Sequence, residues 1–469
     1  MSETLEKTLK IFSIFLILLI CMTGVYSARG LYADGSYWLV EMLPRGGFYI
    51  FDPHREYVQR LVQIPVALAI WLGTLDLNLL IRLHNLGFIG LPLIFWIGAL
   101  ALHFRNNLFW LFLMAFSVSY LRSNFFAAGE FSTAYAMTAF CAAILLRQQL
   151  NFLLALLLLF TSICLTHSYE ATLFLGAFLA ALTLIRLFKI PTNTNTVRII
   201  LVICVVVFLI SLYVGARSVF QERAYSGSST ANLGALAEIH LLYLILLPLL
   251  ISTLACQYFQ RIKYWILACT VLLVCLYLLY AFRWDQRNIS YGFLSYAYRA
   301  LCCFLLLFVL SLASILRFWP ERINVHANRS NNLFLAISAT VFFTSMSYLM
   351  LYHTYGYYKW IKRFEQEAIS LKVHTPIDKT SINTNHGLTY GYNWGWGNPS
   401  TSILLRGNAE AMILNSSKNI GNSDDADNKG TEPGDFENTK EKDSLLQKNQ
   451  PDTWTYRLKP FIKQGLLFP

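Results

Sequence analysis

The sequence predicts an all-α polytopic membrane protein, and three observations lead to that class. Hydrophobic residues make up 56% of the chain, charged residues make up 13%, and the mean hydropathy is +0.48. Apolar runs of about 17–22 residues recur along the first three quarters of the chain, each long enough to cross the hydrocarbon core. A helix satisfies its own backbone hydrogen bonds in lipid, so these runs are expected to be helices.

About eleven apolar segments are predicted to span the bilayer. Residues 57–75 are not counted, because their apolar part is only about ten residues long. The first half of that segment has polar side chains at i, i+3, i+4 and i+7, which predicts an amphipathic helix lying in the membrane interface. The predicted spans are residues 10–28, 86–103, 108–121, 131–147, 150–166, 169–188, 198–215, 239–256, 262–281, 296–317 and 332–353.

The basic residues of the short loops predict the orientation. If residues 57–75 do not cross, every short loop on the side of the N-terminus carries lysine or arginine, which is the usual bias of cytoplasmic loops. The N-terminus is then cytoplasmic and the C-terminus periplasmic. The basic residues concerned are Arg105, Arg147, Arg186, Lys189, Arg198, Arg261, Lys263, Arg317, Arg322 and Arg329.

Cysteine placement and net charge exclude several other classes. All nine cysteines lie in apolar runs and no CxxC occurs, so neither a disulfide framework nor a zinc site is expected. Short outer loops without cysteine suit a bacterial inner membrane. The formal charge of +11 comes from basic residues between spans, with no aromatic-interleaved cluster of the kind that binds nucleic acid. Nothing in the sequence indicates the oligomeric state.

Composition divides the chain into four parts. Residues 1–353 form a transmembrane domain with interfacial helices in its first outer loop, and residues 354–415 form a small extracytoplasmic region. Within that region residues 401–405 alternate weakly, like a short strand. Residues 416–453, rich in Asn, Asp, Ser, Lys and Glu, predict a disordered linker. Residues 454–469 regain apolar side chains and can dock back on the domain.

Carboxylates near the membrane surface are the first candidates for chemistry. Asp34 follows the first span by a few residues, in the first outer loop of residues 29–85, where a lipid-phosphate donor would present its sugar. Sugar transfer needs a general base for the acceptor hydroxyl, or a carboxylate that binds a cation beside the leaving phosphate. Asp34 and Asp52 suit either role, and Glu130, between two apolar runs, is a candidate second acid. The alternative for each is an ordinary solvated acid.

Three arginines of the same loop are candidate partners of an anionic lipid phosphate. Guanidinium groups bind phosphate through forked, charge-assisted hydrogen bonds. Anchoring in lipid headgroups is the alternative for any of them. The three residues are Arg55, Arg60 and Arg82.

Two further pairs complete the candidate site. His167 and Glu170, three residues apart in a short outer turn, can bind an acceptor or a cation, or can simply form a polar turn. Trp394 and Trp396 can stack on a carbohydrate, or can pack the C-terminal region on the membrane surface. No complete metal site is present, although a divalent cation at Asp34, His167 and Glu170 stays open as the one candidate cofactor.

The arrangement resembles the GT-C superfamily of membrane glycosyltransferases, especially the aminoarabinose-transferase and protein O-mannosyltransferase types. In those proteins an acidic residue soon after the first helix lies in a large outer loop with juxtamembrane helices, and a later helix begins with a second acid. A proline-containing helix, a glycine and an Arg-Leu pair lie between the two acids. The matching residues here are Asp34, Pro65, Gly73, Arg82, Leu83 and Glu130.

The resemblance implies an integral-membrane glycosyltransferase that moves a sugar from a polyprenyl-phosphate carrier to an extracytoplasmic acceptor. Its partners would be the lipid bilayer and the polyprenyl-phosphate-linked sugar. Two alternatives stay open. A transporter or flippase for lipid-linked saccharides should place ionisable groups near the bilayer midplane. A non-catalytic membrane scaffold should leave the outward acids pointing in unrelated directions.

Overall fold

In the computed structural model the described part of the apolar region is helical. The structure describes residues 2–32, 34–121, 130–190, 194–220, 248, 250–252, 266, 268–274, 276, 291–319, 329–372, 375–376, 398–407, 413–414, 461, 463 and 466–467.

The long helices follow the apolar runs of the sequence. They are α1 (Ser2–Tyr26), α2 (Asp34–Arg45), α3 (Glu56–Trp71), α4 (Leu77–Asn85), α5 (Leu91–Leu102), α6 (Leu108–Phe116), α7 (Glu130–Leu145), α8 (Phe152–Thr166), α9 (Thr172–Lys189), α10 (Asn195–Phe220), α11 (Tyr291–Phe318), α12 (Arg329–Ser370) and α13 (Asn398–Arg406). Short 3-10 turns cover Arg29–Leu31 and Pro53–Arg55, and π-helical turns cover Leu86–Gly90 and Ser117–Leu121. Two residue pairs, Thr375–Pro376 (β1) and Ile413–Leu414 (β2), form a parallel bridge.

Six helical segments are long and apolar enough to cross a membrane, one of them formed by α4, the π-helical turn and α5 together, which confirms the helical membrane class within the described residues. The predicted count of about eleven spans is not confirmed. Three predicted spans correspond to shorter apolar helices, and most of 239–256 and 262–281 lies outside the described residues. The six segments are Glu3–Tyr26, Leu77–Leu102, Thr172–Lys189, Asn195–Val219, Leu301–Phe318 and Leu333–Ser370.

The segment Leu77–Leu102 is one apolar rod interrupted by a π-helical turn. Gly87 in that turn lies so close to α3 that a Cβ atom on it would be 1.8 Å from the Val62 carbonyl oxygen. The Tyr120 hydroxyl donates a 3.2 Å hydrogen bond to the carbonyl of Ile89, within the same turn. Glycine and a neighbouring hydroxyl are therefore what permit the interruption inside an apolar bundle.

One end of the bundle is basic. Lys10 donates a 2.9 Å hydrogen bond to the carbonyl of Phe104, just after α5, and Arg147 donates one of 2.8 Å to Leu102 at the end of the same helix. Arg186 donates bonds of 2.5 Å to the carbonyls of Leu145 and Arg147. These side chains satisfy carbonyls that have no partner within their own helices. We call this the basic end.

The first outer loop lies at the opposite end, which we call the acidic end. At the start of α3 the Tyr57 amide donates a 3.1 Å bond to the His167 carbonyl, and near the end of α3 Trp71 packs on Phe48 at 5.5 Å. Both ends of α3 therefore contact the acidic end. With 16 residues α3 is also shorter than a membrane span, as expected for an interfacial helix.

The C-terminal region begins inside a helix. α12 has 42 residues and is about 60 Å long, so it continues well past the predicted boundary at residue 353. Residues 401–405 are helical, within α13, so the predicted strand is wrong. Three consecutive residues there, Ile403 to Leu405, are all fully buried, which a helix packed on both α2 and α12 allows and a two-faced strand does not. The linker 416–453 lies outside the described residues.

Candidate functional site

The site is built around Arg55, which is the last residue of the short turn that precedes α3 within the first outer loop. Asp52 caps this turn, since its side chain accepts a 2.9 Å hydrogen bond from the His54 amide. Pro53 at the first position supplies a backbone angle that suits the turn. The turn formed by Asp52–Arg55 therefore fixes the backbone position from which the Arg55 side chain extends.

Arg55 contacts three carboxylates from three parts of the chain. Its Nη1 lies 2.6 Å from Glu130 at the start of α7, and its Nη2 lies 2.5 Å from Glu170, between α8 and α9. Its Nε lies 3.2 Å from the same Glu170 oxygen and 3.5 Å from Asp52. Forked contacts of this kind are the strong form of charge-assisted hydrogen bonding. We call these four residues the Arg55 cluster.

Gln59 bonds to the Arg55 cluster and joins it to the loop backbone. Its Nε2 donates a 2.6 Å bond to the second oxygen of Glu130, and its Oε1 accepts bonds of 3.0 and 3.3 Å from the amides of Phe51 and Asp52. Both oxygens of Glu130 therefore accept hydrogen bonds. Only 5% of that side chain is exposed, compared with 22% for Glu170.

One turn further along α3, Gln63 pairs with the loop in the same way. It accepts a 2.8 Å bond from the Tyr49 amide and donates one of 2.7 Å to the Tyr49 carbonyl. Gln59 and Gln63 are fully buried, whereas Arg60 is exposed. The polar side chains of α3 therefore differ in burial. Gln59 and Gln63 are buried because their amides bond to the loop backbone, whose polar groups need hydrogen-bond partners, whereas Arg60 faces outward.

Tyr169 lies between two guanidinium groups. Arg55 is 5.1 Å from the centre of its ring, and Arg299 of α11 places Nη1 3.5 Å from its hydroxyl. Burial raises the pKa of Tyr169 to about 12, so the phenol stays protonated at neutral pH. Arg299 also stacks over Phe131 at 4.9 Å. A second buried cation thus lies beside the Arg55 cluster.

Asp34 is the first residue of α2, also at the acidic end. It is half-buried, and its neighbour Gly35 packs against the Gly30 carbonyl. One turn along α2, the Tyr37 hydroxyl lies 3.4 Å from that of Tyr49, the residue held by Gln63. A continuous set of contacts therefore joins the helix of Asp34 to the Arg55 cluster.

The other two predicted phosphate partners have structural contacts. Arg60 forms an exposed ion pair of 2.6 Å with Glu56 on its own helix. Arg82 donates hydrogen bonds to the carbonyls of Val25 and Tyr26 at the end of α1, and to Leu467 at 2.9 Å. These contacts do not test phosphate binding, which stays a prediction for both residues.

His167 holds α3 through its backbone carbonyl, and its ring packs on Tyr57 at 5.0 Å. Among the described residues no group of three His, Cys, Asp or Glu side chains is placed to hold a metal ion. The predicted cation at Asp34, His167 and Glu170 therefore stays a prediction. Trp394 and Trp396 lie outside the described residues.

The cluster carries more negative than positive charge. Three carboxylates face one guanidinium group directly, with the second buried arginine nearby. In a partly buried site such an excess favours the uptake of a proton or a cation. Glu170 and Asp52 are more exposed than Glu130, which orients Arg55 and whose pKa is raised by burial.

Gln59, Tyr169 and Arg299 are the site residues that the sequence analysis did not select. Arg299 carries the clearest signal, because it lies in an otherwise apolar helix, where an ionisable residue is a functional candidate by default. The only feature of the sequence that points to Gln59 is its spacing of four residues from Gln63, which places both amides on one face of the helix. Tyr169 carries no signal of its own.

Comparison of the chain with protein-family models, with curated proteins and with solved structures gave no match.

Proposed function

We propose that this protein is an integral-membrane glycosyltransferase that moves a sugar from a polyprenyl-phosphate carrier to an acceptor on the extracytoplasmic side. The observation that carries the proposal is the convergence of Asp52, Glu130 and Glu170 on Arg55 at one end of an apolar helix bundle. A non-catalytic scaffold should leave the outward acids pointing in unrelated directions, whereas Glu130 and Glu170 meet on one guanidinium group. The interfacial helices α2 and α3 beside them support the GT-C-like arrangement.

In this proposal Asp34 takes the proton of the acceptor hydroxyl. The acceptor oxygen then attacks the anomeric carbon, and the bond from that carbon to the phosphate oxygen breaks. The lipid phosphate leaves with the electron pair, and the guanidinium group of Arg299 offsets its charge, while Arg55 stays bound to Asp52, Glu130 and Glu170. Glu170 and Asp52 are the secondary acids, and Glu130 keeps Arg55 in place.

The charges at the two ends support the proposed orientation. Lys10, Arg147 and Arg186 lie at the basic end, and the positive-inside bias favours the cytoplasm for that end. The acidic end then faces the periplasm of a bacterial inner membrane, where lipid-linked sugars are presented.

A transporter for lipid-linked saccharides is the second candidate, and the middle of the bundle disfavours it. Midway along several described helices the polar groups are hydroxyls that bond to their own helix, such as Ser117, Thr138 and Thr183. A substrate path through the midplane would be expected to hold ionisable groups there.

The direct test measures sugar transfer in membranes supplied with a panel of polyprenyl-phosphate sugars and cell-envelope acceptors. We expect Asp34→Asn to reduce the transfer rate by about 100-fold or more, because the variant cannot take the acceptor proton. Glu56→Gln, which alters an exposed carboxylate, should leave the rate unchanged. Full transfer by Asp34→Asn would remove its assignment, and no transfer by the unaltered protein with any donor would contradict the function.

A further inference from the structure

The C-terminal segment is attached to the outer part of α12 by a buried ion pair. The fully buried carboxylate of Glu365 accepts a 2.6 Å bond from Lys463 and a 2.7 Å bond from the Leu467 amide. Phe461 and Leu467 belong to an apolar cluster with side chains of α2, α12 and α13. Charge and apolar burial together fix these residues, and we call the described residues Phe461, Lys463, Leu466 and Leu467 the C-terminal strap.

The strap also reaches the first outer loop through one side chain. Arg82 of α4 donates a 2.9 Å hydrogen bond to the Leu467 carbonyl, and donates further bonds to the carbonyls of Val25 and Tyr26. The last carbonyls of a helix have no partner within it, so Arg82 caps α1 and holds the strap at once. Loss of the strap removes one of the groups that fix this guanidinium.

The helix that carries Arg82 is in close contact with the backbone beside Asp34. The side chain of Asn85 accepts a hydrogen bond from the Gly30 amide. A Cβ atom on Gly35 would lie 1.8 Å from the Gly30 carbonyl oxygen and 3.5 Å from His84 Nε2. A small displacement of α4 therefore moves the backbone on both sides of Asp34.

We propose that the C-terminal strap is a positioning element of the site, which holds α4 and thereby the Gly30–Gly35 backbone that carries Asp34. The inference rests on the proposed function for the role of Asp34, but the mechanical link from strap to loop does not. Arg82, Glu365 and Lys463 are positioning residues in this account, since they act on the site through α4.

The test starts from the full chain with a specific protease site inserted between residues 416 and 453, where the sequence predicts a linker. After cleavage in detergent, size-exclusion chromatography measures whether the C-terminal fragment stays bound. We expect the cleaved parent protein to retain the fragment and cleaved Glu365→Gln to lose it. Glu367→Gln, the same change on the same helix at a half-buried position, should retain it. A parent protein that loses its fragment would overturn the inference.

The second measurement reports on the loop without using transfer. Hydrogen exchange of the peptide that spans residues 29–35 should accelerate about tenfold or more when the strap is lost, and a synthetic peptide of residues 454–469 should restore the slow rate. Lys463→Gln, which leaves α12 unaltered, should show the same acceleration if Glu365→Gln fails to fold. Unchanged exchange after loss of the strap would overturn the positioning role.

Transfer is measured last, on the same cleaved proteins. Loss of the strap should lower the maximal transfer rate, with recovery when the peptide is added. Undiminished transfer after loss of the strap would contradict the inference. If exchange responds as expected while no variant transfers sugar, the strap stands and the proposed function fails, so the two can be told apart.

Discussion

At the residue scale the site depends on one guanidinium group held by acids from distant parts of the chain. Asp52, Glu130 and Glu170 lie 3, 75 and 115 residues from Arg55. Removal of one partner from a buried ion pair is costly, because the charge that stays behind is neither hydrated nor neutralised. Both oxygens of Glu130 accept hydrogen bonds, so its loss should lower the stability of the folded protein more than the loss of Asp52 or Glu170.

We expect Glu130→Ala to destabilise the folded protein by about 3–5 kcal/mol, because it leaves both Arg55 and the Gln59 amide short of a buried acceptor. Thermal unfolding in detergent at a fixed scan rate measures the effect as a lower Tm. Glu56→Ala, which breaks an exposed pair with Arg60, should change stability by less than about 1 kcal/mol. Equal Tm values for the two variants would show that the Arg55 cluster carries no stability.

Sequence reasoning selects most of these residues individually but not their pairing. Asp52, Glu130 and Glu170 stand out as acids next to apolar runs, and Arg55 stands out as a cation in the same loop. Charge alone predicts a phosphate partner for Arg55, whereas the structure gives it carboxylate partners. Contacts between residues so far apart in sequence depend on how helices pack, which no local pattern records.

At the element scale α3 is the part that brings the loop to the bundle. Its buried amides hold the loop backbone, and its opposite face carries exposed apolar side chains such as Ile64 and Leu68. This division suits a helix between the loop and lipid. Its close packing on the π-helical turn depends on Gly87, where the α3 backbone leaves no room for a side chain.

We expect Gly87→Ala to push α3 away from the turn and to cost about 1–3 kcal/mol, since a Cβ atom would meet the Val62 carbonyl at 1.8 Å. Thermal unfolding measures the change. The matched control is Gly24→Ala, where the nearest atom is the end of the flexible Ile89 side chain at 3.0 Å. If both variants unfold at the parent temperature, α3 does not pack as described.

The helices themselves are largely predictable, but their interruptions are not. Apolar length predicts α8 and α9 to within three residues at each end, whereas α1 begins eight residues before its predicted span and α12 ends 17 residues after its own. The break at Leu86–Gly90 arises from packing against α3, which leaves no periodic signal in the sequence. The strand predicted at residues 401–405 fails because a weak alternation over five residues does not distinguish a strand from a buried helix.

At the scale of the whole molecule the bundle has two chemically different ends. Arg147 and Arg186 bond to helix carbonyls at one end, where Lys10 also pairs with Glu6, and three acids collect around Arg55 at the other end. Loop charges in the sequence predict this separation. The number of spans is a different matter, because short apolar helices such as α7 meet the composition of a span without its length.

The central claim is that the Arg55 cluster faces the extracytoplasmic side, and single-cysteine labelling tests it most directly. Phe51, next to Asp52, and Gln148, between α7 and α8, are both exposed and lie at opposite ends of the bundle. A membrane-impermeant maleimide should label Phe51→Cys in intact spheroplasts, and Gln148→Cys only after permeabilisation, relative to the unsubstituted protein. Labelling of Gln148→Cys from outside, with Phe51→Cys protected, would contradict the account.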